Sequence, residues 1–263
     1  MDKSIIQKIS SADNSFFKHL KKIANSARER RKHRQTLLDG IHLLKAAADS
    51  HHTPQAILLR KDAEQNAEIY QVISLFPNLK LIELEPRLFS QLSPVDTPVG
   101  LLSLINIPDS SKKITEACVM LENIQDPGNM GSIMRSTAAA GIGKIYLSKG
   151  CAEAWSPKAL RSGMGAQFQL AIVEHCELEQ ELQHYQKVFV TSLSASSSLY
   201  DADLTGSIAM LFGNEGTGMS HKLITKASHK IHIPMLGNVE SLNVSAAAAI
   251  CLFERVRQVA LQM

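Results

Sequence analysis

Three stretches of this chain carry the residues whose types and spacing could do chemistry: Asn123–Arg135, Leu211–Gly218 and Ile233–Ser245. Each has the form of an apolar run, a turn dense in Gly, Pro or Asn, and a helix-forming segment. In α/β proteins such turns lie at the carboxyl ends of strands, where backbone donors and polar side chains collect around a ligand. The stretches are about 80 and 20 residues apart, so only folding could make them one site. Arg135 is the lone charge between Met130 and Ile142. A guanidinium buried there without a partner would be very costly, so it is expected to meet an anion, either Glu215 or a substrate phosphate. Gly213-Asn214-Glu215-Gly216-Thr217-Gly218 spaces its glycines as G-x-x-G-x-G. That is neither the dinucleotide fingerprint nor a phosphate loop. Asn129 and Ser241 read as N-caps of the helices that follow them.

The elements that must position these residues alternate between helix and strand. Phe16–Ala27 reads as a helix, followed by a basic turn and a second helix over Leu37–Ala48. Short strands are expected at Ala56–Leu59, Leu79–Leu84 and Val99–Ile107, with helices at Ala63–Phe76 and Pro86–Leu92. Pro108–Lys113 is polar and turn-forming, the best linker candidate. The chain therefore divides into an α/β domain over 1–107, a linker over 108–115 and a larger α/β domain over 116–263. In the second domain strands are expected at Ala117–Leu121, Lys144–Leu147, Leu170–Val173, Lys187–Thr191, Ile208–Phe212 and Lys230–Ile233. Lys158 and Arg161 read equally as a substrate path or as surface.

Composition narrows the class. Of 263 residues, 44% are hydrophobic and 20% charged, which is ordinary for a soluble globular protein. No apolar run approaches the roughly 18 residues of a membrane helix, and the polar N-terminus lacks a signal-peptide core, so a cytoplasmic protein is expected. The four cysteines form no C-x-x-C pair and make no metal-ligand spacing with the ten histidines, so no metal is expected. Net charge is +3, yet eight basic residues stand between Lys18 and Arg34 against one acid, Glu29. A dense, one-signed, Arg-rich run suits phosphate contacts, and Arg30, Arg31, Lys32 and Arg34 are expected to touch nucleic acid.

Taken together, the three stretches resemble the SpoU/TrmH family of RNA ribose 2′-O-methyltransferases in the SPOUT superfamily. The matching patterns are Asn123-x-x-Asp126-Pro127-x-Asn129-x-Gly131-x-x-x-Arg135, Leu211-Phe212-Gly213-Asn214-Glu215-Gly216-x-Gly218, and Ile233-Pro234-Met235 through Glu240-Ser241-Leu242-Asn243-Val244-Ser245. The N-terminal part resembles the ribosomal-protein-like RNA-binding domain found ahead of this catalytic domain, through Leu38-Asp39-Gly40 and Pro98-Val99-Gly100-Leu101-Leu102. The family more often has Glu where Asp39 stands, and Gln-Gly where Val99-Gly100 stands.

The resemblance implies an α/β-knot, a trefoil-knotted parallel sheet, and S-adenosylmethionine as cofactor. It places the cofactor on backbone groups of Leu193, Gly213, Ile233, Met235 and Leu242, beside Asn214, Glu215, Gly216, Ser241 and Asn243. It makes Arg135 the residue that activates the 2′-hydroxyl or holds the adjacent phosphate. Asn129 and Glu215 would position it, Ser241 and Asn243 would complete the pocket, and Asn123 would join Arg135 in contacting RNA. It implies a homodimer and a displacement needing no metal. Ribosomal RNA is expected ahead of transfer RNA because a separate N-terminal RNA-binding domain is present. The rivals are a transfer-RNA ribose methyltransferase and a non-catalytic RNA-binding or ribosome-assembly protein of the same fold.

Overall fold

A computed structural model describes residues 6–61, 63, 66–109, 116–192 and 195–262. Leu193, expected at the cofactor, and most of the linker lie outside them. The chain divides into two compact units: residues up to Pro108 with Trp155–Phe168, and Asp109–Ala154 with the chain from Gln169 onward. Trp155–Phe168, expected with the larger domain, packs in the first unit, where the Thr36 hydroxyl donates to the Trp155 carbonyl at 2.9 Å.

The first unit contains the strands β1 (Ile6–Ile9), β2 (Gln35–Asp39), β3 (Ala56–Arg60), β4 (Leu81–Leu84) and β5 (Leu101–Asn106), ordered β1-β4-β3-β5-β2. The β3–β4 pair is parallel, while β5 runs antiparallel to β3 and β2. Alternation along β3 feeds two cores: Leu58 faces Phe17, Leu20 and Ile23 of α1 (Ser15–Asn25), and Ile57 and Leu59 face the layer containing Leu44 and Ile69. Leu44 belongs to α3 (Ile41–Asp49) and Ile69 to α4 (Ala67–Ile73). Two expectations fail here. The basic run is not a turn but α2 (Ala27–His33), capped by Ser26, whose hydroxyl accepts from the Glu29 amide. Leu37–Asp39 is strand rather than helix, because pairing with β5 in full register overrides the helical pattern. Helix begins only after Gly40, whose φ of +92° suits glycine. After α4 comes α5 (Pro86–Phe89), with Pro at its first turn.

The second unit is built on a seven-stranded sheet, parallel throughout among the described residues. Its strands are β6 (Ala117–Leu121), β7 (Lys144–Ser148), β8 (Ala171–Cys176), β9 (Lys187–Thr191), β10 (Ser197–Ser198), β11 (Ile208–Phe212) and β12 (His229–His232), ordered β10-β12-β9-β11-β6-β7-β8. β6 and β11 are buried along their whole length, as central strands covered on both faces must be. On one face Met120, Val190 and Leu211 meet Leu182, Tyr185 and Leu223. After α7 (Pro157–Gly163) of the first unit come α8 (Leu178–Glu181), α9 (His221–Lys226) and α10 (Val244–Ala260), and α10 packs against α6 (Pro127–Ala139), their small residues permitting close approach. No helix among the described residues is long and apolar enough to cross a membrane.

Candidate active site

Three loops leave the carboxyl ends of β6, β11 and β12, and their side chains lock them together. Asp126, not Asn129, caps α6: its carboxylate accepts from the Asn129 amide at 2.9 Å, and Pro127 occupies the first helical position. The side chain of Asn129 is thereby released for other work. Its Nδ2 donates to Glu215 Oε1 at 2.9 Å, and its Oδ1 accepts from Asn243 Nδ2 at 3.1 Å. One carboxamide thus joins the first loop to the second and third.

The second loop is stitched from within. Asn214 and Gly218 exchange backbone hydrogen bonds at 3.1 and 2.9 Å, and Asn214 Oδ1 accepts from the amides of Gly216 and Thr217. Asn214 Nδ2 then donates to the Asn123 carbonyl at 2.8 Å, a further tie to the first loop. Gly213 is required by close backbone approach, since a Cβ there would lie 2.5 Å from the Met219 nitrogen. In the third loop the helix cap is Asn243 rather than Ser241. Its Oδ1 accepts from the amides of Ser245 and Ala246, which is why its Nδ2 points back to Asn129.

The second and third loops, with the end of β9, border a cleft of about 610 Å³, and Asn129 of the first loop holds two of its lining residues, Glu215 and Asn243. Gly213, Asn214, Glu215, Gly216, Ile233, Met235, Ser241, Leu242 and Asn243 line it, all of them expected from the sequence. Glu240 of the third pattern also lines it, as do Thr191 and Ser192, which were not singled out. The position of Thr191 and Ser192 at the end of β9 is the signal that would have found them. Among the described residues the cleft wall mixes backbone polar groups with Phe212, Met219 and Leu242, a lining suited to a ligand with one flat apolar part and several polar groups.

Arg135 stands apart. It is exposed and makes no hydrogen bond or ion pair among the described residues, so of the two anions expected for it Glu215 is bonded to Asn129 instead. Helical geometry puts it about 9 Å along α6 and roughly 120° around from Asn129.

The basic run also separates into two kinds of residue. Arg30 is only 6% exposed and donates to the carbonyls of Ile23 and Ala24 at 2.8 and 3.0 Å, closing the end of α1. It is a structural cation and not a surface contact for RNA, a correction to the sequence expectation. Arg34, in the left-handed region at φ 53°, donates to the Pro108 carbonyl at 2.9 Å. Arg31 and Lys32 are exposed, with no side-chain partner among the described residues.

With that geometry in hand, residues 116–253 match the SpoU rRNA Methylase family, and residues 14–103 match an MRM3-like substrate binding domain. The chain belongs to the SpoU rRNA methylase family. Relatives include the Bacillus subtilis 23S rRNA (guanosine(2553)-2′-O)-methyltransferase RlmP, 28% identical over 94% of this chain and 98% of that one. Human mitochondrial rRNA methyltransferase 3 is 27% identical over 90% of this chain and 70% of its own length. Among solved structures, an RNA 2′-O ribose methyltransferase superposes with a TM-score of 0.82 at 27% identity, covering 97% of this chain and all of that one. This SpoU member therefore has the α/β fold with a parallel sheet that SPOUT methyltransferases share, behind an N-terminal substrate-binding domain.

Proposed function

We propose that this chain transfers the methyl group of S-adenosylmethionine to a ribose 2′-hydroxyl of ribosomal RNA. The observation that carries this reading is the Asn243–Asn129–Glu215 chain, which ties the first family loop to the two that line the cleft. The cofactor fits on this chain's own terms. Gly213 lets the backbone of Gly218 and Met219 close in at the end of β11, Met219, Ile233 and Leu242 offer apolar wall for a purine, and Asn214, Glu215 and Ser241 offer polar groups. Bound there, S-adenosylmethionine supplies an electrophilic methyl group on a sulfonium sulfur.

The residues then have separable tasks. Asn129 fixes Glu215 and Asn243, so the ribose meets a preorganised wall rather than mobile side chains. A guanidinium stays protonated in proteins, so Arg135 does not act as a base. Its fork grips the phosphate beside the reacting ribose and stabilises charge developing on the 2′-oxygen. Arg31 and Lys32 contact the RNA backbone, with Asn123 beside the cleft.

Ribosomal RNA is favoured over transfer RNA by the family itself, by the substrates named for the relatives, and by the separate N-terminal domain. The reading includes a cytoplasmic homodimer and the trefoil path. The sheet order supports the latter, with β12 enclosed between β10 and β9. The test incubates the purified chain and S-adenosylmethionine with total RNA from cells lacking the gene, followed by mapping of 2′-O-methyl sites. One new site in ribosomal RNA is expected. A site confined to transfer RNA would replace the substrate, and none in any RNA would remove the activity.

A further inference from the structure

The first unit contains a cavity of about 350 Å³ that the methyl-transfer reading leaves without a task. Both N-terminal sequence patterns converge on it: Asp39-Gly40 ends β2, and Val99 precedes β5. Gly40 and Val99 are neighbours, a Cβ on the glycine lying 3.8 Å from Val99 Cγ2. The segment folded in from later in the chain closes the cavity with Pro157, Arg161 and Met164.

The lining has the character of a base pocket. Leu37, Ile41, Val95, Val99 and Met164 supply apolar wall. Against it stands a half-buried carboxylate, Asp39, whose Oδ2 accepts the Ser93 hydroxyl at 2.5 Å. Its Oδ1 takes no hydrogen bond among the described residues. Burial pushes the Asp39 carboxyl up, while the Ser93 bond and the Arg161 charge hold it down. Immediately beyond Asp39, Gly40 precedes α3 without a side-chain cap, so the first-turn amides from Ile41 onward keep donor capacity on the same wall. An acceptor pair and a neighbouring donor on apolar walls match one nucleobase edge in particular. Guanine presents O6 as acceptor, then N1–H and N2–H₂ as donors, whereas adenine presents a donor and then an acceptor. Unpaired RNA bases are read in this way, splayed out, stacked and bonded along the Watson–Crick edge.

We propose that this cavity receives one unpaired guanine of the substrate RNA, at a site separate from the methyl-transfer cleft. Asp39 accepts from N1–H and N2–H₂, first-turn amides of α3 donate to O6, and exposed Arg161 takes the adjoining phosphate. The proposal rests on the reading that the substrate is RNA.

The experiment titrates the full chain, saturated with S-adenosylhomocysteine so that the other cleft is filled, into labelled pentaribonucleotides UUGUU, UUIUU and UUAUU. Fluorescence anisotropy should show UUGUU binding about tenfold tighter than UUAUU, as a good paired contact discriminates. Inosine, which lacks the N2 amino group, should fall between. Asp39→Asn should bring the three within about twofold of one another. Val99→Trp narrows the cavity from a position 48% exposed, leaves the Asp39–Ser93 bond in place, and should weaken UUGUU to the level of UUAUU. Should Asp39→Asn fail to fold by circular dichroism, Val99→Trp carries the test. Equal affinities in the wild-type chain, or discrimination persisting in the folded variants, would overturn the assignment. A wild-type chain that discriminates but methylates no RNA keeps the pocket and loses the proposed activity. Methylation without discrimination does the reverse.

Discussion

At the scale of single residues, Arg135 and Asn129 make different demands on an experiment. Arg135 contributes nothing visible to the fold, being exposed and unpartnered among the described residues. Arg135→Ala should therefore leave the melting temperature and S-adenosylhomocysteine affinity nearly unchanged while lowering single-turnover methyl transfer by ~10²–10³-fold. Arg135→Lys should recover little, since an ammonium lacks the planar fork. Near-normal turnover in Arg135→Ala would remove it from the reaction. The thiols give a second expectation. Burial pushes Cys118 and Cys251 up to about 12, and Cys176 to about 11. Native alkylation at pH 8 should spare the fully buried Cys118 and Cys251 until the chain unfolds, as peptide mass mapping would show. The sign of the linked stability follows. Above roughly pH 8.5 the unfolded thiols ionise while the folded ones keep their protons, so stability falls as pH rises toward the folded values. A melting temperature flat from pH 8 to 10 would contradict this.

At the scale of elements, the basic segment is where sequence and structure part company. Its charge was legible, but its division of labour was not. Arg30 lies one residue from Arg31, yet on a helix adjacent residues point about 100° apart, and only Arg30 turns toward the carbonyls that end α1. Arg30→Ala should cost ~1.5–3 kcal/mol, the worth of hydrogen bonds from a charged donor, read as a lower denaturation midpoint. Arg31→Ser with Lys32→Ser should leave the midpoint alone and reduce the salt slope of RNA binding by roughly one to two. An unchanged slope would return both residues to a solvated surface. Strand against helix at Leu37–Asp39 was hidden for a related reason: the pairing partner, β5, lies more than 60 residues away. The strands Lys187–Thr191 and Ile208–Phe212 were legible to the residue because a buried centre, Val188–Val190 in one and the whole strand in the other, leaves an unbroken apolar run. At the cleft the sequence identified the lining side chains but misassigned both helix caps. Asp126 and Asn129 are each good capping types, as are Ser241 and Asn243. Only the folded loops decide which member of a pair caps and which is left to reach across.

At the scale of the whole molecule, the apolar surface of α10 asks for a partner. Ala246, Ile250 and Phe253 recur at helical spacing, with Phe253 49% exposed and Leu261, at the end of the helix, 75% exposed. Near the cleft, Leu242 and Val239 are also exposed, at 37% and 61%. Scattered exposed apolar residues are ordinary, but a helical stripe continuing toward a cleft-lining loop is a surface that water covers poorly. On the same helix Arg255 is 9% exposed, its Nε has no hydrogen-bond partner among the described residues, and burial lowers its pKa. A second copy applying the same face would cover the stripe, since a two-fold interface presents one patch to itself. Light scattering at micromolar concentration should give about twice the chain mass of 28.8 kDa. Phe253→Asp puts a charge in the middle of the stripe without touching the cleft lining or the Asn129 network. It should shift the protein toward the single-chain mass and raise the dimer dissociation constant by at least ~10-fold, as loss of an aromatic anchor does. Methyl transfer at dilute concentration should fall with it if the assembled pair is the working form. A wild-type chain that scatters as a monomer across the micromolar range would leave the stripe to some other partner.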